Sequence, residues 1–73
     1  MRRSFYHYIL TQRGYNLQDP VEVFANDVSR DIMFPKHSED YHEVADYLEL
    51  NVNYLASMDL FDQVWEKYLE NNK

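Results

Sequence analysis

Within residues 37–46 lie His37, Glu39, Asp40, His42, Glu43 and Asp46, and imidazoles and carboxylates at that density can in principle ligate zinc or another divalent ion. His42 and Asp46 are four apart and would share one face of a helix. Two exposed groups do not fix a tetrahedral site, however, and the simpler reading is an acidic helix start followed by a solvated face. No metal or cofactor is therefore expected. Nucleophilic chemistry has less to build on, because the chain has no cysteine, no glycine-rich phosphate loop and no serine in a nucleophile motif. Ser4, Ser38 and Ser57 each precede an apolar stripe and read as helix N-caps, and His7 reads as a packing or surface residue between Tyr6 and Tyr8. No catalytic residue is assigned, and the chain is not expected to be an enzyme.

Two binding chemistries remain. Arg2, Arg3 and Arg13 could pair with phosphates while Tyr6 and Tyr15 stack on bases, which would make the N-terminal segment a nucleic-acid contact. Charge opposes it: residues 1–18 carry those three arginines and no acid, +3, but residues 19–73 carry four bases and thirteen acids, −9. The competing reading is a solvated terminus in which Arg13 serves a helix end. Protein interaction is favoured instead, because twelve aromatic residues exceed what a core of this size encloses. Tyr6, Tyr15, Tyr54 and Met58 are the candidate interaction surface, against the alternative that each merely roofs the core.

Any such site must sit on one small domain. Seventy-three residues suffice for a single core, without disulfides to staple it, and no apolar run approaches the roughly 20 residues of a membrane-spanning helix. The absence of cysteine suits a reducing cytoplasm. Met1-Arg2-Arg3-Ser4-Phe5 has the arginine pair of an export signal, but His7 and Gln12-Arg13 interrupt the apolar stretch such a signal needs, so the pair is read as part of the mature protein.

Gly14, Pro20 and Pro35 divide the chain into segments of helical period. The first runs from Ser4 to Arg13 with Phe5, Tyr8 and Ile9 on one face, and Gly14 is expected to provide a left-handed stop. Asp19-Pro20-Val21-Glu22 opens the second, whose stripe of Val21, Phe24, Ala25, Val28 and Ile32 should end near Ile32 or Met33, since Pro35 disfavours helical geometry at Phe34. Ser38 is expected to cap the third, with Tyr41, Val44, Ala45 and Leu48 inward. Residues 51–55 are ambiguous and could hold one helical turn. Ser57 or Asp59 caps the last and longest, with Phe61, Val64, Trp65, Tyr68 and Leu69 recurring at helical spacing.

These segments coincide with a known pattern. Ser4-Phe5-Tyr6-His7-Tyr8, Arg13-Gly14, Phe24-Ala25-Asn26, Phe34-Pro35-Lys36, Asp40-Tyr41, Tyr47-Leu48-Glu49, Ser57-Met58, Phe61-Asp62 and Trp65 together resemble the YozE-like family of small, functionally uncharacterised bacterial proteins. The resemblance runs nearly end to end and implies an all-α, SAM-like (sterile alpha motif) bundle of four to five short helices, the last longest. It implies no catalytic residues. SAM domains proper often associate head to tail, or hold RNA through basic residues at the start of the last helix. Here that place is occupied by Ser57, Met58, Asp59 and Asp62, so neither mode is carried over. The sequence thus predicts one SAM-like domain over residues 1–73, acting as a cytoplasmic, non-enzymatic interaction or adaptor module for an unidentified protein partner. Nucleic-acid binding through Arg2, Arg3 and Arg13 is the alternative, and the oligomeric state is left open.

Overall fold

A computed structural model describes residues 3–55 and 57–71. Four helices follow in order: α1 (Phe5–Leu10), α2 (Pro20–Arg30), α3 (Tyr41–Asn51) and α4 (Met58–Asn71), the last being longest at 14 residues. The expected all-helical bundle is therefore what the chain forms. Among the described residues no helix is long and apolar enough to cross a membrane.

Where a short polar side chain meets the first free backbone amides, the helix begins as expected. Ser4 is extended and its hydroxyl accepts the His7 amide at 3.3 Å, while the Asp19 carboxylate accepts the Val21 amide at 2.9 Å with Pro20 in the first turn. Ser57 stands just before α4 and accepts the Leu60 amide at 3.4 Å. The third cap differs. Asp40, not Ser38, precedes α3 and accepts the His42 amide at 2.9 Å, because Ser38 is buried and engaged elsewhere: its carbonyl receives the Phe5 amide and its hydroxyl the Asp40 amide.

Helix ends were harder to anticipate. α1 stops at Leu10 and not at Arg13. The Thr11 hydroxyl donates to the Tyr8 carbonyl at 2.6 Å and Arg13 Nε donates to the Leu10 carbonyl at 3.0 Å, so side chains take carbonyls a further turn would have used. Gly14 does not adopt a positive φ; its smallness matters because a Cβ there would meet the Glu22 carboxylate. α2 ends at Arg30, two residues short of the expected stop. Asp31 turns extended and its carboxylate takes the Met33 amide at 3.0 Å, leaving Ile32, expected on the inner stripe, 84% exposed. Residues 52–55 are not helical.

The core is an aromatic stack with Phe5 at its hub. Phe5 is fully buried, and its ring centroid lies 5.1 Å from Trp65, 5.5 Å from both Phe61 and Tyr68, and 6.4 Å from Phe34. Phe34, which Pro35 removes from the helix, enters this core and meets Tyr47 edge-on at 5.5 Å. Tyr8 and Tyr68 are buried as well, whereas Tyr41 sits half-buried at the rim with its hydroxyl donating to Asp62 at 2.6 Å. Helix α4 packs on the other three, so its aromatic face closes the bundle. Three long-range bonds fasten the start of the chain: Ser4 Oγ to the Lys36 carbonyl at 2.7 Å, the Phe5 amide to the Ser38 carbonyl at 3.2 Å, and the Tyr68 hydroxyl to the Arg3 carbonyl at 2.7 Å.

Candidate functional site

The C-terminal ends of α2 and α3, with the strand-free segment after α3, enclose an open groove of about 640 Å³. Asp27, Arg30, Asp31 and Met33 line it from the end of α2 and the turn that follows, Tyr47 and Asn51 from α3, and Tyr54 from the segment after it. Asp31 organises it. One carboxylate oxygen accepts the Met33 amide, and the other accepts the Tyr47 hydroxyl at 2.6 Å and the Tyr54 hydroxyl at 3.0 Å. A single acid thus clasps three segments that helix propensity alone would leave apart.

The electrostatics define what this clasp can do. Burial raises the Asp31 pKa, but the hydrogen bonds from Tyr47, Met33 and Tyr54, with the charge of Lys36, outweigh it and leave the carboxyl below its ordinary value. Burial and the bond to Asp31 push the Tyr47 phenol up to about 12, and the same two causes raise Tyr54. Near neutral pH the acid is ionised and both phenols keep their protons, so none of the three is poised to exchange one. The cluster suits holding a surface in shape.

That assignment has a stability consequence. Because the folded-state pKa of Asp31 lies below its unfolded value, its contribution is present above roughly pH 4 and is lost as the pH falls through the folded value. Asp31→Ala is expected to cost about 1–2 kcal/mol at neutral pH, the lower part of the range for bonds to a charged group because solvent reaches this half-buried site. Urea denaturation of both proteins from neutral to acid pH checks this, with a flatter acid limb expected for the variant.

The four residues expected to form an interaction surface are separated by the fold. Tyr6 is half-buried against Phe34, at a centroid distance of 5.7 Å, with Lys36 Nζ 5.5 Å from its own ring centroid. Tyr54 is half-buried beside Phe24, and Met58 packs on the core, so these three rest partly against the bundle. Tyr15 alone of the four is fully exposed. The apolar side chains that do stand in solvent include Ile32, expected on the inner stripe of α2, and Met33, expected near its end. Asp31 was missed altogether. An acid four residues before Pro35, with no helical partner ahead of it, is the local signal for a side-chain turn that would have found it.

Of the arginines, Arg2 lies outside the described residues. Arg3 is exposed at its side chain while its carbonyl receives Tyr68, and Arg13 serves the end of α1. His37 and His42 are exposed, the Asp40 carboxylate is occupied by the α3 cap, and among the described residues no three histidine or acidic side chains converge as metal ligands would. His7 is exposed on α1.

Comparison with other proteins agrees with this architecture. The family described as YozE SAM-like fold matches residues 4–70. A UPF0346 protein of Enterococcus faecalis is 59% identical over 73 residues, covering all of both chains. Others from Limosilactobacillus reuteri, 50% identical over 70 residues and 96% of each chain, and from Pediococcus pentosaceus, 47% identical over 73 residues, all of this chain and 99% of its own, are similar along their length. No solved structure gives a significant match. A four-helix bundle closed by its longest helix, matched from the Ser4 cap to Glu70 in the last turn of α4, places the chain in the YozE SAM-like family with the UPF0346 proteins.

Proposed function

We propose that this domain is a non-enzymatic protein-interaction module of the cytoplasm, and that its partner docks at the groove between the ends of α2 and α3. The observation that carries this reading is Met33, 75% exposed, lining a concavity together with Tyr47 and Tyr54, with its chain neighbour Ile32 also standing in solvent at 84%. Large apolar side chains beside a tyrosine-lined recess are what an interface core is made of, and methionine adapts its shape to what it meets. The Asp31 clasp supports the same reading, since it fixes Tyr47 and Tyr54 in the groove's lining while none of the three groups titrates near neutral pH.

The test is a pull-down from native cells, with and without nuclease, using the wild-type domain and an Ile32→Asp/Met33→Asp double variant. A protein retained by the wild type after nuclease and lost by the folded variant supports the module and its location. Equal capture by both places the contact elsewhere, and a domain that captures nothing and sediments as a strict monomer counts against interaction altogether.

A further inference from the structure

A second concavity, of about 450 Å³, lies between the end of α1 and the outer face of α2. Arg13 and Arg30 line it from opposite elements, together with Tyr15, Asn26 and Ser29, and its lining contains no carboxylate. On a chain of net charge −6 this is an unusual place to find two guanidiniums.

Both arginines are placed by the fold. Arg13 Nε is anchored on the Leu10 carbonyl, which restrains the guanidinium while engaging only one of its five N–H donors. Arg30 is the last residue of α2, where a cation meets the negative end of the helix, and its contact with Asp27 is a long, solvent-exposed one of 3.4 Å that an incoming anion can replace. The Asn26 amide donates to the Gly14 carbonyl at 2.8 Å and so holds the loop carrying Arg13 and Tyr15 against α2. The neighbouring acid, Glu22, leans on Gly14 and accepts the Asn16 amide at 3.4 Å. At the mouth, the Tyr15 ring is fully exposed.

We propose that the cleft between Arg13 and Arg30 binds a phosphate that carries an aromatic base, the two guanidiniums holding the phosphoryl oxygens and the Tyr15 ring stacking on the base. Guanidinium forks match phosphate oxygens in geometry and charge, and an exposed phenol ring offers a stacking face for any base. The site differs from an N-terminal arginine patch in using Arg30 in place of Arg2 and Arg3. It stands apart from the groove at Met33, although Arg30 borders both.

Amide chemical-shift titrations at low salt with adenosine monophosphate, a thymidine oligonucleotide, inorganic phosphate and a phosphoserine peptide test it. Expected are shifts centred on residues 13–15, 26, 29 and 30 with both base-bearing ligands. Arg13→Gln and Arg30→Gln should each weaken binding about tenfold. Tyr15→Ala, which removes a fully exposed ring and so leaves the fold intact, should weaken the base-bearing ligands severalfold and leave inorganic phosphate unchanged. Tighter, steeply salt-dependent binding of the oligonucleotide identifies single-stranded nucleic acid as the source, and equal affinity per nucleotide identifies a free nucleotide. The proposal is overturned if base-bearing ligands move no resonance in the cleft, if Tyr15→Ala binds them as well as wild type, or if only the phosphopeptide binds there.

Discussion

Phe5→Ala will destabilise this domain by about 3–5 kcal/mol, the range for deleting a buried phenyl ring whose cavity cannot collapse. Collapse is hindered here because Phe5 is flanked on several sides by large rings, those of Phe34, Phe61, Trp65 and Tyr68, none of which can move inward without leaving the others. A domain of this length has a total stability of roughly 4–11 kcal/mol, so the variant should lose a quarter of it or more. Thermal and urea melts followed by far-ultraviolet circular dichroism measure it. Phe5→Leu, which keeps most of the volume, should recover the greater part of the loss, and a Phe5→Ala protein that melts like wild type would show that the hub lies elsewhere.

Trp65→Ala should cost a similar amount, about 3–5 kcal/mol, by a different route. Trp65 is 7% exposed, and its ring lies 4.9 Å from Tyr68, 5.1 Å from Phe5, 5.5 Å from Tyr41 and 5.8 Å from Phe61. It joins α4 both to α1 and to the start of α3, so its loss loosens two packing surfaces at once. Because Phe5 and Trp65 touch, their effects should not add: the double variant is expected to lose less than the sum of the singles, once the shared stack has already gone. Wild-type unfolding can be followed by the fluorescence of this single tryptophan, which should change in step with the loss of helix if the core and the bundle are one cooperative unit.

The starts of helices were readable in the residues because capping is local chemistry: Asp19-Pro20 specifies a helix whatever surrounds it. Their ends were less so. Arg13 was expected to favour a helix terminus and does, but it acts from beyond the last turn, by taking the Leu10 carbonyl. Pro35 correctly removed Phe34 from the helix, yet no local rule says that the freed ring then turns inward to meet Phe5 and Tyr47. Ser38 was read as a cap because its type and position allow one, whereas its hydroxyl takes the Asp40 amide just before the helix and its carbonyl is held by Phe5, more than thirty residues earlier.

The same division explains the sites. Tyrosine and methionine can roof a core or face a partner, and periodicity does not separate these roles; Tyr6, Tyr54 and Met58 pack on the core, and Tyr54 lines the groove as well. Ile32 looked internal because it fell on the α2 stripe, and it is outside because Asp31 ends the helix one residue before it. One aspartate therefore decides both the shape of the groove and which apolar side chains border it.

The bond between the Tyr68 hydroxyl and the Arg3 carbonyl joins residues 65 apart, and it has a bearing on how the protein is made. As the polypeptide leaves the ribosome, α1 emerges first and can meet α2 and residues 34–38, but the Phe61, Trp65 and Tyr68 rings that enclose Phe5 arrive only with α4. Nascent α1 is only six residues long, too short to persist alone, so its aromatic face must wait in solvent or in the care of a chaperone. The aromatic core is thus completed late, with the final helix acting as the latch.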